Sequence, residues 1–156
     1  AYYLAKSYAE LGKKVLIVDT DSQGNISTSL GMDANGLDHT LCDLMNKVID
    51  GDVTEENVKA CIRQVGKVDV LPSNSLLAEI DYKLMNAYGR ENVLNDVIST
   101  VRNLYDYIMT VCFPKRRKKS TTFRTSVVHL VAQPDFIVPR IPYPICHFHP
   151  FLPDNR

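Results

Sequence analysis

The chain has 156 residues, of which 45% are hydrophobic, and its 18 Lys+Arg balance its 18 Asp+Glu. This length and composition fit one globular domain with a core of ordinary size, and no run approaches the roughly 20 apolar positions of a membrane-spanning helix. No signal peptide is visible, and the four cysteines form no C-x-x-C pair, which predicts reduced thiols and a cytoplasmic location.

The first predicted strand leads directly into an acidic loop. Residues 15–18 are four successive valine, leucine or isoleucine residues, a run typical of a strand that is covered on both faces, as in a parallel sheet. Ligands of such sheets bind beyond the carboxyl ends of the strands, where Asp19 and Asp21 emerge. Gly24 allows a close approach of the backbone, so the loop predicts phosphate and metal chemistry.

An EF-hand calcium loop is the competing interpretation, because Asp19, Asp21, Gln23 and Gly24 match its first, third, fifth and sixth positions. The twelfth position requires a bidentate glutamate and is Leu30 here, and a strand precedes the loop where an EF-hand has a helix. A plain acidic turn, whose side chains cap backbone groups, is the other alternative.

Three helices are predicted beyond the acidic loop. Thr40 or Asp38 caps the first of them, and Gly51 ends it. Ser73 opens the second and Gly89 precedes the third, and each has apolar residues at helical spacing. These apolar faces predict packing against a core.

Two further segments, residues 67–71 and 106–112, predict strands. Strands and helices thus alternate along the first 112 residues. This alternation predicts right-handed βαβ units, and therefore an α/β fold built on a parallel sheet.

The composition changes after residue 112. Residues 1–112 hold 10 Lys+Arg against 16 Asp+Glu, a net of −6, whereas residues 113–156 hold 8 against 2, a net of +6. Seven of the eight prolines also lie in this second part. We therefore expect residues 113–156 to form an irregular, basic and proline-rich tail, either disordered or encoded by a shifted reading frame.

Two groups of residues in the tail could have a function. A basic run can contact nucleic acid weakly by counterion release, although a disordered charged segment is the plainer interpretation. A cysteine and two histidines are possible metal ligands, but no second cysteine pair stands at a zinc-site spacing, so incidental clustering is favoured. The basic run is Lys115, Arg116, Arg117, Lys118 and Lys119, and the possible ligands are Cys146, His147 and His149.

The order of these features resembles the ParA/MinD-type partitioning ATPases, in their Soj-like branch, which carry a deviant Walker A phosphate loop (P-loop). The resemblance extends over about residues 1–112. It implies a P-loop NTPase-like parallel sheet with flanking helices, of which this chain holds a part. It rests on residues 1–6, 11–25, 27–31, 70–74 and 105–108.

The resemblance also implies site residues and cofactors. The intact family uses ATP and magnesium, and Asp21 corresponds to the residue that orients the attacking water on the magnesium side. Asp19 is implied to support that metal site. Gln23, Gly24 and Asn25 correspond to the switch backbone at the nucleotide.

Three departures from the family pattern are visible. The family pattern places the lysine-bearing P-loop within about ten residues before Ala1. We therefore expect this chain to be an internal piece of a longer reading frame. The position of the Walker B aspartate, which would hold magnesium through water, is Val111, and Ser22 stands where the family more often has proline. We therefore expect little or no ATPase activity, no tightly bound nucleotide or metal, and only a weak contact of Asp19 and Asp21 with magnesium through water.

The function implied is ATP hydrolysis in plasmid or chromosome partitioning. The intact family forms an ATP-bound homodimer that binds DNA nonspecifically and responds to a DNA-bound partner protein. A non-enzymatic remnant whose basic tail touches nucleic acid is the alternative. A membrane-associated sibling ATPase is disfavoured, because a proline-rich tail cannot form the amphipathic helix that such a protein needs.

Overall fold

The computed structural model describes residues 1–33, 36–84, 92–112 and 127–132. Its strands are β1 (Val15–Asp19), β2 (Arg63–Val65), β3 (Val68–Leu71), β4 (Tyr107–Cys112) and β5 (Val127–Ala132). Its helices are α1 (Tyr2–Glu10), α2 (Asn25–Ser29), α3 (Leu41–Ile49), α4 (Glu55–Cys61), α5 (Leu77–Leu84) and α6 (Val93–Val101), the last followed by a 3₁₀ turn over Arg102–Leu104. No helix in the part of the chain that the structure describes is long and apolar enough to cross a membrane.

The strands form one mixed sheet in the order β2-β3-β1-β4-β5. The three central strands are parallel, since β1 pairs in parallel with both β3 and β4. Both outer strands are antiparallel to their neighbours. The predicted α/β fold with a parallel sheet is therefore confirmed for the centre, and the two antiparallel edges were not predicted.

The prediction of an irregular tail is wrong for residues 127–132, which form β5. This run of valines, alanine, leucine and one histidine has high strand propensity and pairs with β4 over six residue positions. The remainder of the predicted tail, including the basic run and the possible metal ligands, lies outside the described residues. Its origin in a shifted reading frame stays a prediction.

Strand β1 is buried along its whole length. Leu16 and Val18 face the cluster formed with α3 to α6, whereas Val15 and Ile17 face the cluster that includes α1. Burying one such aliphatic side chain contributes roughly 1.5–3 kcal/mol. The sheet therefore has helices on both faces, as the apolar run predicted, and the end of β1 is held firmly in place.

Helix α3, which was the first helix predicted beyond the acidic loop, has the predicted ends. The Thr40 N–H and hydroxyl donate to Asp43 Oδ2 at 2.8 and 3.0 Å, which fixes the start of α3. Gly51 has φ +76°, and the N–H groups of Gly51 and Asp52 donate to the carbonyls of Val48 and Lys47. This is the Schellman arrangement, in which glycine allows the chain to leave the helix.

Cys42 and Cys61 are free thiols in the core, on α3 and α4. Burial raises the pKa of Cys61 to about 11, and it also raises the pKa of Cys42. Because the thiolate is the reactive form, both side chains act as small apolar groups in packing.

Candidate functional site

Asp19 is the last residue of β1, and its side chain has no exposed surface. Its Oδ1 accepts a hydrogen bond from the Asp21 N–H at 3.2 Å. Its Oδ2 accepts two, from the N–H of Ser27 at 3.2 Å and from the hydroxyl of Ser27 at 3.1 Å. One carboxylate thus ties the end of β1 both to the following loop and to helix α2.

Asp21, in the same loop, is nearly as buried as Asp19, with 8% of its area exposed. Its Oδ1 accepts from the Gln23 N–H at 3.1 Å, and its Oδ2 accepts from the side-chain amide of Asn25. Gly24 closes the turn with φ +58° and donates its N–H to the Asp21 carbonyl at 2.8 Å. The five residues predicted for the site therefore lie together in one tight loop.

Ser27 is the site residue that the sequence did not predict. It is fully buried in α2, a helix of five residues that begins after Gly24. A serine eight positions after Asp19 fits no periodic pattern, and a helix this short leaves no apolar stripe. The available signal was the S-T-S run after an acidic, glycine-containing loop, where hydroxyl groups commonly bond to nearby carboxylates.

Val111 on β4 stands directly beside Asp19. The two residues are register partners in the parallel pair of β1 and β4, and Val111 is fully buried in the apolar cluster on that face. Its carbonyl accepts from the N–H of Thr20 at 3.0 Å and from the hydroxyl of Thr20 at 2.9 Å. The position that resembles the family's Walker B aspartate is therefore adjacent to the acidic loop, and its side chain is apolar.

A polar cleft of about 220 Å³ opens between the acidic loop and the loop after β3. Asn74 is buried in its wall, and its Oδ1 accepts from the Leu76 N–H at 3.2 Å. The neighbouring Ser73 hydroxyl is buried and has no hydrogen-bond partner within the described residues. The cleft is lined by Ser22, Gln23, Thr28, Met32, Asp33, Asn74 and Ser75.

The environment of Asp19 disfavours its charge. Burial raises the pKa of the Asp19 carboxyl above its ordinary value, the hydrogen bonds from Asp21 and Ser27 partly oppose this, and the Asp21 charge adds to it. A positive charge nearby would therefore favour the ionised form of Asp19.

Magnesium is the cation that the family resemblance implies. Magnesium prefers oxygen ligands and usually keeps several waters beside one or two carboxylates. Asp21 keeps 8% of its area exposed beside the exposed Asn25, and it fits a contact through water. No group of three or more metal-binding side chains exists among the residues that the structure describes.

Comparisons with known proteins agree with this geometry. A family model described as "AAA domain" matches residues 1–136, which includes β5 and continues past residue 112. The sporulation initiation inhibitor protein Soj of Bacillus subtilis is 34% identical over 111 residues, which are 71% of this chain and 42% of Soj. The chromosome partitioning protein ParA of Caulobacter vibrioides is 29% identical over 116 residues, 73% of this chain and 42% of that protein.

A solved structure of a nucleotide-bound protein has a similar fold. Cobyrinic acid a,c-diamide synthase from Mycobacterium smegmatis, with a bound ATP analogue and magnesium, superimposes with a TM-score of 0.60 at 27% identity over 69% of this chain and 41% of that one. The chain thus spans less than half the length of these relatives. It belongs to the AAA-domain family and, over the matched segment, resembles the ParA/MinD-type partitioning ATPases.

Proposed function

We propose that this chain is part of a ParA-type ATPase that acts in plasmid or chromosome partitioning in the cytoplasm. The supporting observation is the loop of residues 19–25, which stands at the carboxyl end of β1 beside the end of β4. The carboxyl ends of parallel strands are where α/β proteins bind their ligands. By resemblance, the intact protein forms an ATP-bound homodimer that binds DNA nonspecifically. A DNA-bound partner protein would stimulate its ATP hydrolysis.

Each residue of the loop has a proposed role in the intact protein. Asp21 would accept a hydrogen bond from the attacking water and orient it toward the γ-phosphate of ATP. Asp19 would support the metal site, and the backbone of Gln23, Gly24 and Asn25 would face the nucleotide. Bound magnesium would neutralise charge on the phosphates.

The DNA on both sides of this reading frame tests the proposed role. We expect a lysine-bearing P-loop to be encoded within about ten codons upstream of Ala1, because that loop opens the helix that becomes α1. If the tail comes from a shifted frame, another frame also encodes a ParA-like continuation after residue 112. The absence of a P-loop from every upstream frame would contradict the assignment.

We also propose that a polypeptide of these 156 residues hydrolyses little or no ATP. Val111 supplies no acid where magnesium would need one, and the sequence contains no glycine-lysine pair followed by serine or threonine. Phosphate release with ATP and magnesium is expected to equal the buffer blank. Turnover that requires magnesium and disappears in Asp21→Ala would refute this proposal.

The alternative is a non-enzymatic remnant that contacts nucleic acid weakly through its basic tail. The charge of residues 113–156, a net of +6 from 8 Lys+Arg against 2 Asp+Glu, favours it. Binding to DNA would then fall steeply with added salt and would not respond to ATP. Neutralising the run Lys115, Arg116, Arg117, Lys118 and Lys119 would abolish it.

A further inference from the structure

We propose that Asp19 and Ser27 form an internal brace that sets the position of Asp21, so that Ser27 is a positioning residue and Asp21 alone is the exchangeable carboxylate. The assignment of Asp21 to the magnesium side rests on the proposed function. The brace itself rests on hydrogen bonds and burial.

The oxygens of Asp19 are already occupied by the protein. Three donors reach them, the Asp21 N–H on Oδ1 and both donors of Ser27 on Oδ2, and the residue has no exposed surface. Val111 closes the adjacent position on β4 with an apolar side chain. A cation that bound Asp19 directly would have to displace buried donors and leave them unpaired, which is costly.

Ser27 carries much of this arrangement because it supplies two of the three donors. Its N–H and hydroxyl hold the same oxygen at 3.2 and 3.1 Å, so the orientation of the Asp19 carboxylate depends on where α2 begins. The other oxygen holds the peptide N–H of Asp21. The hydroxyl of Ser27 thereby acts on Asp21 through Asp19.

Asp21 differs from Asp19 in the kind of partner that it has. One of its oxygens is held by the side-chain amide of Asn25, and Asn25 is exposed. Water bound to a cation can donate to that oxygen instead, and the Asn25 amide can turn to solvent without becoming a buried unpaired group. Asn25 is therefore a replaceable donor, whereas the donors of Ser27 are fixed.

Nuclear magnetic resonance on the full chain tests the brace without nucleotide. In Ser27→Ala we expect the amide hydrogen of Asp21 to exchange about tenfold faster, because one buried hydrogen bond is lost, while the amides of β1 keep their rates. Ser27→Thr keeps the hydroxyl and should restore slow exchange. Ser27→Cys keeps the side-chain volume with a weaker donor, and it serves if the alanine variant unfolds.

Ser29→Ala is the matched control. The Ser29 hydroxyl lies on the same helix, is exposed and donates to the Asn25 carbonyl at 2.6 Å, so its loss removes a serine hydroxyl without touching Asp19. We expect this variant to leave exchange at Asp21 unchanged. Equal rates in Ser27→Ala and the parent chain would overturn the brace.

A titration with magnesium chloride alone tests the exchangeable carboxylate. We expect the side-chain amide signals of Asn25 to shift in the parent chain and to stay still in Asp21→Asn. Shifts centred on the Ser27 amide would overturn the division of roles. Faster exchange in Ser27→Ala with no response to magnesium would support the brace but refute the placing of Asp21 on the magnesium side, and with it the site of the proposed function.

Discussion

Replacing Asp19 with alanine is expected to lower the free energy of unfolding by about 3 kcal/mol, the largest effect of any single change in the acidic loop. The substitution leaves the Asp21 N–H and both donors of Ser27 without an acceptor in a buried place. Urea denaturation followed by circular dichroism measures the change. The cost of burying the Asp19 charge is removed at the same time, which limits the loss.

Two variants show whether this loss comes from the hydrogen bonds. Asp38→Ala removes an exposed carboxylate and is expected to change the free energy of unfolding by less than about 0.5 kcal/mol. Asp19→Asn keeps the shape of the side chain and one acceptor oxygen. Its free energy of unfolding should lie between those of Asp19→Ala and Asp38→Ala. If Asp19→Ala were as stable as Asp38→Ala, the loop would not depend on this carboxylate.

Val111→Asp is expected to destabilise the protein by about 4 kcal/mol at neutral pH in the absence of magnesium. The new carboxylate would lie fully buried next to Asp19, its register partner, so two like charges would face each other across neighbouring strands. Magnesium, whose positive charge offsets the charge of the new carboxylate, should recover part of the lost stability. Thermal unfolding with and without magnesium chloride measures both effects.

Val111→Asn is the matched control, because asparagine is nearly isosteric with aspartate and carries no charge. The Val111→Asn variant should lose stability only through its buried polar group, and added magnesium should not change its stability. The difference between the two variants is then the electrostatic part. Identical stability of the two, with or without magnesium, would show that position 111 is not electrostatically linked to the acidic loop.

The elements that could be predicted from the sequence are those whose patterns are set by burial. Apolar residues dominate the three parallel strands because both faces of the sheet are covered, and α3 was predicted with its capping residue Thr40 and its terminal Gly51. Helix α4 was missed because its sequence is mostly polar, with only Val58 and Cys61 buried. Strand β2 is three residues long and carries no usable period.

Some residues of the candidate site could be predicted from the sequence and others could not. Asp19 and Asp21 could be placed from the sequence, since two acids directly after a buried strand must emerge at the carboxyl end of the sheet. The hydrogen bonds from Ser27 to Asp19 could not be predicted, because neither the period of a strand nor that of a helix brings these two positions together. The place of Val111 beside Asp19 depends on the register between β1 and β4, which only the assembled sheet defines.

Strand β5 determines which strand forms one border of the sheet. It pairs with all six residues of β4, so the backbone groups of an apolar strand are not offered to other molecules, and the opposite border of the sheet is the short β2. Unpaired strand borders invite the addition of a second chain and so promote aggregation. Protection of this kind comes from main-chain pairing. Among the described strands β5 is itself the outer one, so this pairing covers the border of β4 and moves the border of the sheet to β5.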